Sequence, residues 1–130
     1  MNLILKEKDF RSALQNTDWS AYQGAAVGIV CSTDAIIPIW AYMLVASALE
    51  PHAPFIFKGN EQQVLEALFL RNISGINAGE YAGHRVVVKG CGEKNIPESV
   101  YIAITEKLRP EVKSIFYGEP CSTVPVYKKK

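Results

Sequence analysis

The sequence lacks the short motifs that identify the commonest nucleotide-binding and hydrolytic enzymes. It contains no Gly-x-Gly-x-x-Gly, no Walker loop and no Gly-x-Ser-x-Gly, which argues against dinucleotide-binding, P-loop and α/β-hydrolase chemistry. It also lacks the Cys-x-x-Cys spacing of zinc knuckles. Its two histidines, His52 and His84, come just before apolar runs that predict strands. We therefore expect them at the rim opposite the strand ends, outside any Cys–His pair.

An excess of positive charge is also missing. The 14 basic and 13 acidic residues give a formal net charge of +1, and three of the basic residues form the tail 128–130. We interpret this basic tail as a solvated chain end. A nucleic-acid groove needs Lys and Arg clustered on a structured face, so we expect no nucleic-acid partner.

No secretory or membrane-spanning segment is evident. The segment 6–11 is almost entirely charged, and no apolar core of the secretory type stands near it. The longest uncharged apolar run, 35–49, contains Pro38 and is shorter than the roughly 20 residues that a bilayer needs. We therefore expect a cytoplasmic protein without a membrane partner, in a compartment that keeps thiols reduced.

Apolar runs alternate with helical patterns along the chain. Short connections between such elements are typical of a parallel sheet covered on both faces. We predict a single α/β domain of three layers, with a mainly parallel sheet of about four to five strands and helices on both faces. A short N-terminal helical segment, 1–24, precedes the core, 25–127, and no internal repeat of solenoid period is present. Strands are predicted at 25–30, 55–57, 85–89 and 114–117, helices at 6–15, 35–49, 60–70 and 95–108, and a last extended segment at 124–127.

Two of the predicted helices begin with the spacing of a capping box. Asn60 precedes Gln63 by three residues, and Asn95 precedes Glu98 by the same distance. In a capping box these two side chains satisfy each other's backbone N–H groups at the helix start. Pro97 is compatible with the first turn of the second of these helices.

Three cysteines share one kind of position in the chain. Cys31, Cys91 and Cys121 each follow the end of an apolar run predicted as a strand. In an open α/β sheet, ligands and chemistry gather outside the carboxyl ends of the strands. The repeated position therefore predicts a functional site at this edge of the sheet.

The chemistry of these thiols favours a metal or reactive sulfur. An odd number of cysteines in a reducing compartment argues against a disulfide framework. Cys31 and Cys91 stand upstream of predicted helix N-termini, where the helix dipole lowers the pKa of a thiol. Because neighbouring strands lie about 4.8 Å apart, adjacent strand ends would bring two sulfurs within reach of one zinc ion. An iron–sulfur cluster would span a wider gap.

Neighbouring residues supply the remaining candidates. Asp34, isolated in an apolar stretch, is the first candidate for a further metal ligand, although it would equally serve as a helix cap. Glu119 is the second candidate. Glycines on both sides of Cys91 leave the backbone open to close approach by a ligand. We predict a ligand-binding loop set of Ser32, Thr33, Gly90, Gly92, Ser122 and Thr123.

Two other roles for the cysteines stay open. One is a metal-free sulfur carrier, in which a single activated thiol holds a persulfide. The other is a non-catalytic interaction domain with its cysteines packed in the core, since cysteine is among the most buried residue types. The sequence assigns no catalytic group and leaves open whether the protein is an enzyme.

Longer blocks of the sequence resemble a known family. The blocks are Leu3-Ile4-Leu5, Lys8-Asp9-Phe10-Arg11, Cys31-Ser32 through Asp34-Ala35-Ile36, Trp40-Ala41-Tyr42-Met43-Leu44, Val87-Val88-Lys89-Gly90-Cys91-Gly92, Pro97-Glu98-Ser99 and Gly118-Glu119-Pro120-Cys121-Ser122-Thr123-Val124-Pro125. Together they are similar to the bacterial family described as domain of unknown function 2480, over nearly the whole chain.

The resemblance brings no established activity with it. It implies genes beside those of iron–sulfur cluster assembly, and hence assembly proteins as partners. This setting agrees with the cofactor expected from the cysteines themselves, an iron–sulfur cluster or zinc. Family members usually carry a further N-terminal segment, so we expect this chain to be a short form. Part of a sheet edge would then be exposed, and a homodimer would form through it.

Overall fold

The computed structural model describes residues 3–32, 35–90, 95–119 and 122–130. The chain divides into two compact units, Met1–Leu65 and Glu66–Lys130, which we call unit 1 and unit 2. Both contain helices and strands, so the prediction of a mixed α/β protein is confirmed. No helix in the described ranges is long and apolar enough to cross a membrane.

Unit 1 is built around one parallel strand pair and the helix that connects it. Strand β2 pairs with β4, and the two-residue strands β1 and β3 pair separately, also in parallel. A final helix, α3 (Glu61–Ser74), begins in unit 1 and continues into unit 2. The elements before α3 are β1 (Leu3–Ile4), α1 (Glu7–Gln15), a 3₁₀ helix (Trp19–Tyr22), β2 (Ala26–Ile29), β3 (Ala35–Ile36), α2 (Ile39–Leu49) and β4 (Phe55–Lys58).

Unit 2 has the same kind of strand pair with a further strand added to it. Strands β5 and β6 are parallel neighbours, and β7 pairs antiparallel with β6. The register between β6 and β7 shifts at Ile115/Phe116, beside the pairing of Phe116 with Pro125, which fits the tolerance of edge strands and bulges for proline. The elements after α3 are a 3₁₀ helix (Ala78–Tyr81), β5 (Arg85–Val88), α4 (Glu98–Leu108), β6 (Ser114–Glu119) and β7 (Ser122–Lys128).

The prediction of one mainly parallel sheet of about four to five strands is wrong. In the part of the chain that the structure describes, the strands form three small sheets, β1–β3, β2–β4 and β5–β6–β7. The predicted strands are present, but the strand that follows each long crossover pairs with the strand that precedes it. An apolar run indicates that a segment is a buried strand, whereas the choice of partner depends on contacts far apart in sequence.

The two units repeat one order of elements at a spacing of 59 residues. Each contains a helix, a 3₁₀ helix, a strand, a second helix and a parallel strand, and the corresponding strands differ by this number. Ala26 pairs with Phe55 in unit 1, and the residues 59 positions later, Arg85 and Ser114, pair in unit 2. The chain therefore contains an internal structural duplication, longer in period than the repeats of solenoid proteins.

Scattered identities accompany this duplication. They favour positions with a structural reason, such as proline before a helix or leucine at its buried end. Because they do not form a contiguous motif, they do not stand out in the sequence by itself. The pairs include Phe10 and Phe69, Tyr22 and Tyr81, Gly24 and Gly83, Pro38 and Pro97, Tyr42 and Tyr101, Leu49 and Leu108, Pro51 and Pro110, and Ile56 and Ile115.

The turn before the first strand of each pair shows the duplication in atomic detail. The side chains of Asp18 and Asn77 each accept a hydrogen bond from the backbone N–H two residues later, at 3.1 and 3.2 Å. Gly24 and Gly83 have φ of 77° and 73°, a left-handed conformation that glycine adopts without steric cost. Hydrogen bonds from the hydroxyl and backbone of Ser20 also hold the pKa of the exposed Asp18 carboxyl below its ordinary value.

Each unit buries corresponding residues at the end of its connecting helix. In unit 2, Leu108, Val112 and Ile115 are buried and form a cluster, against which Val86, Val88, Ile104 and Tyr127 pack. In unit 1, the positions equivalent to Leu108 and Val112 are Leu49 and Ala53, and both are buried. In unit 2 this cluster joins the crossover helix to the strand pair, since it contains Leu108 of the helix and Ile115 of the central strand.

One of the two predicted capping boxes is confirmed and the other is wrong. Asn60 and Gln63 exchange hydrogen bonds of 2.9 Å between side chain and backbone at the start of α3. Helix α4 instead begins at Glu98, with Pro97 at its N-cap and no side-chain cap hydrogen bond. The residue before a proline avoids the helical region, so the helix cannot begin at Asn95 and starts after the proline.

Candidate functional site at the carboxyl ends of the strands

The predicted site residues are divided between the two units. Glu119 is the last residue of β6. The described residues of the predicted site also include Cys31, Ser32, Gly90, Ser122 and Thr123. The other predicted residues, Cys91, Cys121, Asp34, Thr33 and Gly92, lie outside the described residues.

In unit 1, the first cysteine follows the end of β2. Cys31 and Ser32 are exposed and come directly after Val30. The neighbouring strand leads into Gly59, whose N–H donates to the carbonyl of Ile29 at 3.0 Å, so both strand ends are joined by a hydrogen bond. A cavity of about 370 Å³ opens beside them, lined by Ala26, Gly28, Val30, Gly59, Asn60, Glu61 and Val64.

In unit 2, several predicted residues come together at one edge of the sheet. Val88 of β5 is in register with Tyr117 of β6, so Gly90 and Glu119 both extend beyond that pair in the same direction. On the other side of β6, Glu119 pairs with Ser122, and the preceding residue pairs with Thr123. The backbones of Gly90, Glu119, Ser122 and Thr123 thus lie near one another at the carboxyl edge of β5 and β6.

Two tyrosines that the sequence analysis did not single out belong to the same edge. A Cβ atom built on Gly90 would lie 2.9 Å from the hydroxyl oxygen of Tyr101 and 3.6 Å from that of Tyr117. The two rings meet edge to face, with centroids 5.8 Å apart and planes at 78°. The hydroxyl of Tyr101 therefore occupies space beside Gly90 that a side chain at position 90 would fill, and it would have to shift if one were introduced.

Unit 1 contains an equivalent contact with a different residue. Tyr42, 59 positions before Tyr101, lies under the ammonium of Lys58, which is 5.7 Å from the ring centroid. Lys58 is itself 59 positions before Tyr117. Both units therefore place a helix tyrosine against the last residue of the parallel strand pair, and this shared spacing is the sequence signal that would have indicated Tyr101.

A small cavity lies below the tyrosine pair of unit 2. Its volume is about 280 Å³, and its lining is mostly apolar, so only phenol and threonine hydroxyl groups offer polar contacts. Such a space suits a small molecule with an apolar body, whose polar end would point towards the strand edge. The lining residues are Val88, Tyr101, Thr105, Ile115, Tyr117 and Val126.

Metal ligands were the main prediction for this edge. Within the described ranges, no group of three or more His, Cys, Asp or Glu side chains is arranged to hold a metal ion. Cys31 is the predicted ligand whose side chain falls within those ranges, and it is exposed.

The two histidines lie at the amino ends of their strands, opposite the carboxyl ends that the cysteines follow in the sequence, as predicted. His52 precedes β4 and its Nδ1 is 2.9 Å from Oε1 of Gln23. His84 directly precedes β5 and meets the ring of Tyr81 edge to face at 6.1 Å between centroids. Each histidine thus packs at the amino end of its strand and is not part of the candidate site.

Comparison with known proteins places the chain in a family. No curated protein and no solved structure matches it. A family profile does match, over residues 1–129, which is almost the whole sequence. The resemblance found in the sequence blocks is thereby confirmed. The chain belongs to the family described as protein of unknown function (DUF2480).

Proposed function

We propose that the protein is a metal- or iron–sulfur-binding accessory factor. Its ligands would be the thiolates of Cys31, Cys91 and Cys121, with Asp34 or Glu119 completing the coordination. The observation that supports this proposal is the parallel pairing of β5 with β6. In the sequence, Cys91 comes three residues after the last residue of β5 and Cys121 two residues after that of β6, so we expect both thiols near this edge of the sheet.

The spacing of the strands makes such a site chemically reasonable. Cys91 directly follows Gly90, and Cys121 lies between Glu119 and Ser122. Neighbouring strands lie about 4.8 Å apart, and two thiolates at that separation are within reach of one zinc ion or of one edge of a cluster. Two thiolates leave coordination positions open, and Glu119, at the end of β6, is the nearest carboxylate in sequence to fill one.

The duplication places Cys31 at the position in unit 1 that is equivalent to Gly90 in unit 2, next to Cys91 in the sequence. The residues 59 positions after Cys31 and Ser32 are Gly90 and Cys91. Each unit therefore carries one cysteine in the sequence between the first strand of its longer parallel pair and its crossover helix, and the two cysteine positions differ by one residue from the 59-residue spacing. In this proposal Cys91 and Cys121 form the main site, and substitution of either has a larger effect on metal content than substitution of Cys31.

Elemental analysis tests the proposal directly. The protein would be purified without chelator and without oxygen, and its visible spectrum recorded beside its iron and zinc content. We expect near-stoichiometric metal, with a brown chromophore if the metal is iron, and loss of both signals in Cys91→Ser and Cys121→Ser. Val124→Ser is the matched control, because it introduces a serine near Cys121, at a residue that is 60% exposed, without removing a sulfur. Unchanged metal stoichiometry in Cys91→Ser would remove the central residue of the proposal.

The exposure of Cys31 favours a second candidate, a metal-free sulfur carrier. A carrier needs a thiolate that solvent and a donor protein can reach. It predicts one thiol that reacts far faster than the other two at neutral pH, measured by mass spectrometry after a short exposure to iodoacetamide. Slow and equal reactivity of all three thiols, together with no metal, would leave a non-catalytic interaction domain, in which Cys→Ala changes lower stability through lost packing.

The remaining parts of the proposal concern location and partners. A cytoplasmic location follows from the reduced state that thiolate ligands require. Iron–sulfur assembly proteins are the proposed partners, and an exposed sheet edge is the proposed route to a homodimer. Purification of the tagged protein from its native host, followed by identification of the co-purifying proteins, tests the partners. Light scattering at several protein concentrations tests the dimer.

A further inference from the structure

A basic cavity lies in unit 2, at the amino ends of β5 and β6. Its volume is about 390 Å³, within the range of small-molecule sites. Four of its six lining residues carry a positive charge, and none carries a negative charge. The lining residues are Arg85, Lys113, Ser114, Phe116, Lys128 and Lys129.

The register of the strands explains how these residues come together. Ser114 of the central strand pairs with Arg85 on one side and with Lys128 on the other. Paired residues on neighbouring strands share a face of the sheet, so the three side chains form a row across it. The alternate residue, Ile115, faces the buried core of the unit. Lys128 is therefore the last residue of a strand, and its side chain is exposed, as expected for the solvated basic end of the chain.

Ser114 supplies an independent sign that the cavity accepts a ligand. Its side chain is only 6% exposed, and its Oγ atom has no hydrogen-bond partner among the described residues. A buried hydroxyl without a partner destabilises the folded protein. Ser114 is also one of the residues that line the cavity. Its hydroxyl is covered, so a ligand would reach it after a movement of the exposed Arg85 and Lys128 side chains, which flank Ser114 in the sheet.

The duplicated unit shows that the fold does not require these polar residues. The positions 59 residues earlier than Arg85, Lys113 and Ser114 are occupied by Ala26, Pro54 and Phe55. In unit 1, the ring of Phe55 stacks on that of Phe57, with centroids 6.2 Å apart. The same backbone is therefore built with apolar residues in unit 1, and the charges of unit 2 need another explanation.

We propose that this cavity binds a phosphate group, either inorganic phosphate or a phosphomonoester. The guanidinium of Arg85 would offer paired N–H donors to two phosphate oxygens. The hydroxyl of Ser114 would donate to a third oxygen. Lys128 supplies a further charge, and its ammonium is held 5.3 Å from the centroid of the Phe116 ring.

The shape of the site favours a small anion over a nucleic acid as its ligand. The backbone of Lys129 donates to the carbonyl of Lys113 at 2.8 Å, which fixes both lysines at the rim of one recess. The hydroxyl that lacks a partner belongs to Ser114, one of the residues that line this recess. A polynucleotide would need a continuous basic track with stacking aromatic residues, whereas a single phosphate group would reach both the rim and Ser114.

Binding would be measured with inorganic phosphate and, separately, with phenyl phosphate. Isothermal titration calorimetry at low ionic strength gives the affinity, and amide chemical shifts of Arg85 and Ser114 locate the site. We expect saturable binding that weakens about tenfold or more in Arg85→Gln. Ser114→Ala is expected to weaken binding several-fold. Arg11→Gln is the matched control, because it removes the same charge from an exposed helix of unit 1 and leaves binding unchanged.

Stability without ligand supplies a second measurement that does not depend on affinity. Ser114→Ala removes the unpartnered hydroxyl, so the phosphate-free variant is expected to melt at the same temperature as the wild type or higher. Added phosphate raises the melting temperature of the wild type by mass action and raises that of Ser114→Ala less.

Several results would overturn the proposal. These are the absence of saturable phosphate binding, equal losses in Arg85→Gln and Arg11→Gln, and equal thermal stabilisation of wild type and Ser114→Ala. Tighter binding of phenyl phosphate than of inorganic phosphate would support a phosphomonoester, and the reverse order would support the free anion. Binding of a single-stranded oligonucleotide without binding of either phosphate would replace the proposal with a nucleic-acid surface. The site shares no residue with the cysteine edge, so metal content and phosphate binding succeed or fail independently.

Discussion

Replacement of Gly28 by alanine tests how unit 1 is packed. Gly28 lies within β2, paired with Phe57 of β4. A Cβ atom added there would lie 2.5 Å from the carbonyl oxygen of Gly59 and 2.6 Å from Cγ2 of Val64. Ordinary van der Waals contact begins at 3.4 Å. The strand would therefore have to move away from these atoms by a large part of an ångström.

The cost of this movement follows from the nature of the two obstacles. The oxygen belongs to the backbone of Gly59, whose N–H is hydrogen-bonded to β2 at 3.0 Å. Val64 is 7% exposed, and the cavity that it lines together with Gly28 leaves its methyl groups some room to turn. Overpacking of a core costs about 1–3 kcal/mol. Because the backbone oxygen of Gly59 cannot turn away, we expect a loss of about 2 kcal/mol of unfolding free energy.

Native-state hydrogen exchange measures this loss within unit 1. We expect faster exchange of the Gly59 amide and of the amides that join β2 to β4. The matched control is Val87→Ala, since Val87 occupies the equivalent position of unit 2 and is 46% exposed. That change is expected to cost less than about 1 kcal/mol. Unchanged protection of β2 and β4 in Gly28→Ala would refute the reasoning.

Three further changes test the core, a helix cap and a titrating side chain. Leu108→Ala removes a side chain that is 5% exposed, so we expect a loss of about 2–5 kcal/mol in urea denaturation. Gln63→Ala removes the acceptor of the Asn60 N–H and is expected to cost about 0.5–2 kcal/mol, seen as faster amide exchange in the first turn of α3. Asp18→Asn keeps a capping oxygen but removes the charge. Because hydrogen bonds lower the folded pKa of Asp18 below 3.8, its charge-dependent stabilisation is present above that pH and is lost as the pH falls through the folded pKa. The variant is expected to lack this acid dependence in its unfolding free energy.

Each of these predictions has a result that would contradict it. Ile102, on the same helix as Leu108, is 70% exposed, and equal losses from the two alanine substitutions would contradict the assigned core. Unaltered exchange at the start of α3 would contradict the capping role of Gln63. For Asp18, acid unfolding profiles that remain parallel in wild type and variant would show that its folded pKa is not lowered. Asn77, which caps the equivalent turn of unit 2, indicates that asparagine is tolerated at such a position.

Much of the local structure could be predicted because its causes are local. The predicted helix 6–15 is observed at Glu7–Gln15, and the predicted strand 85–89 at Arg85–Val88. Side-chain periodicity and turn residues act within a few positions of the chain, so they are visible in the sequence. The failed capping box at Asn95 shows the limit even here, because Pro97 restricts the residue before it more strongly than the box spacing favours a helix.

The candidate sites depended more strongly on contacts between distant residues. The tyrosine pair combines Tyr101 of a helix with Tyr117 of a strand, and neither is close to Gly90 in sequence. Ser114 looked like an ordinary strand residue, and Lys128 looked like part of a solvated tail. Only the pairing of β6 with β5 and β7 places Ser114 between Arg85 and Lys128. No short pattern in the sequence contains that information.

The sequence by itself therefore determined the mixed α/β class, the positions of the main strands and helices, and the family. It also indicated that Cys31 comes shortly after a strand, because an apolar run ends at a definite residue. The tertiary structure decided which strands pair, and so divided one expected sheet into three. It also revealed the duplication at 59 residues and the basic cavity with its buried hydroxyl. The physical reason is that strand pairing and burial depend on contacts between residues far apart in the chain, and these contacts form only when the chain folds.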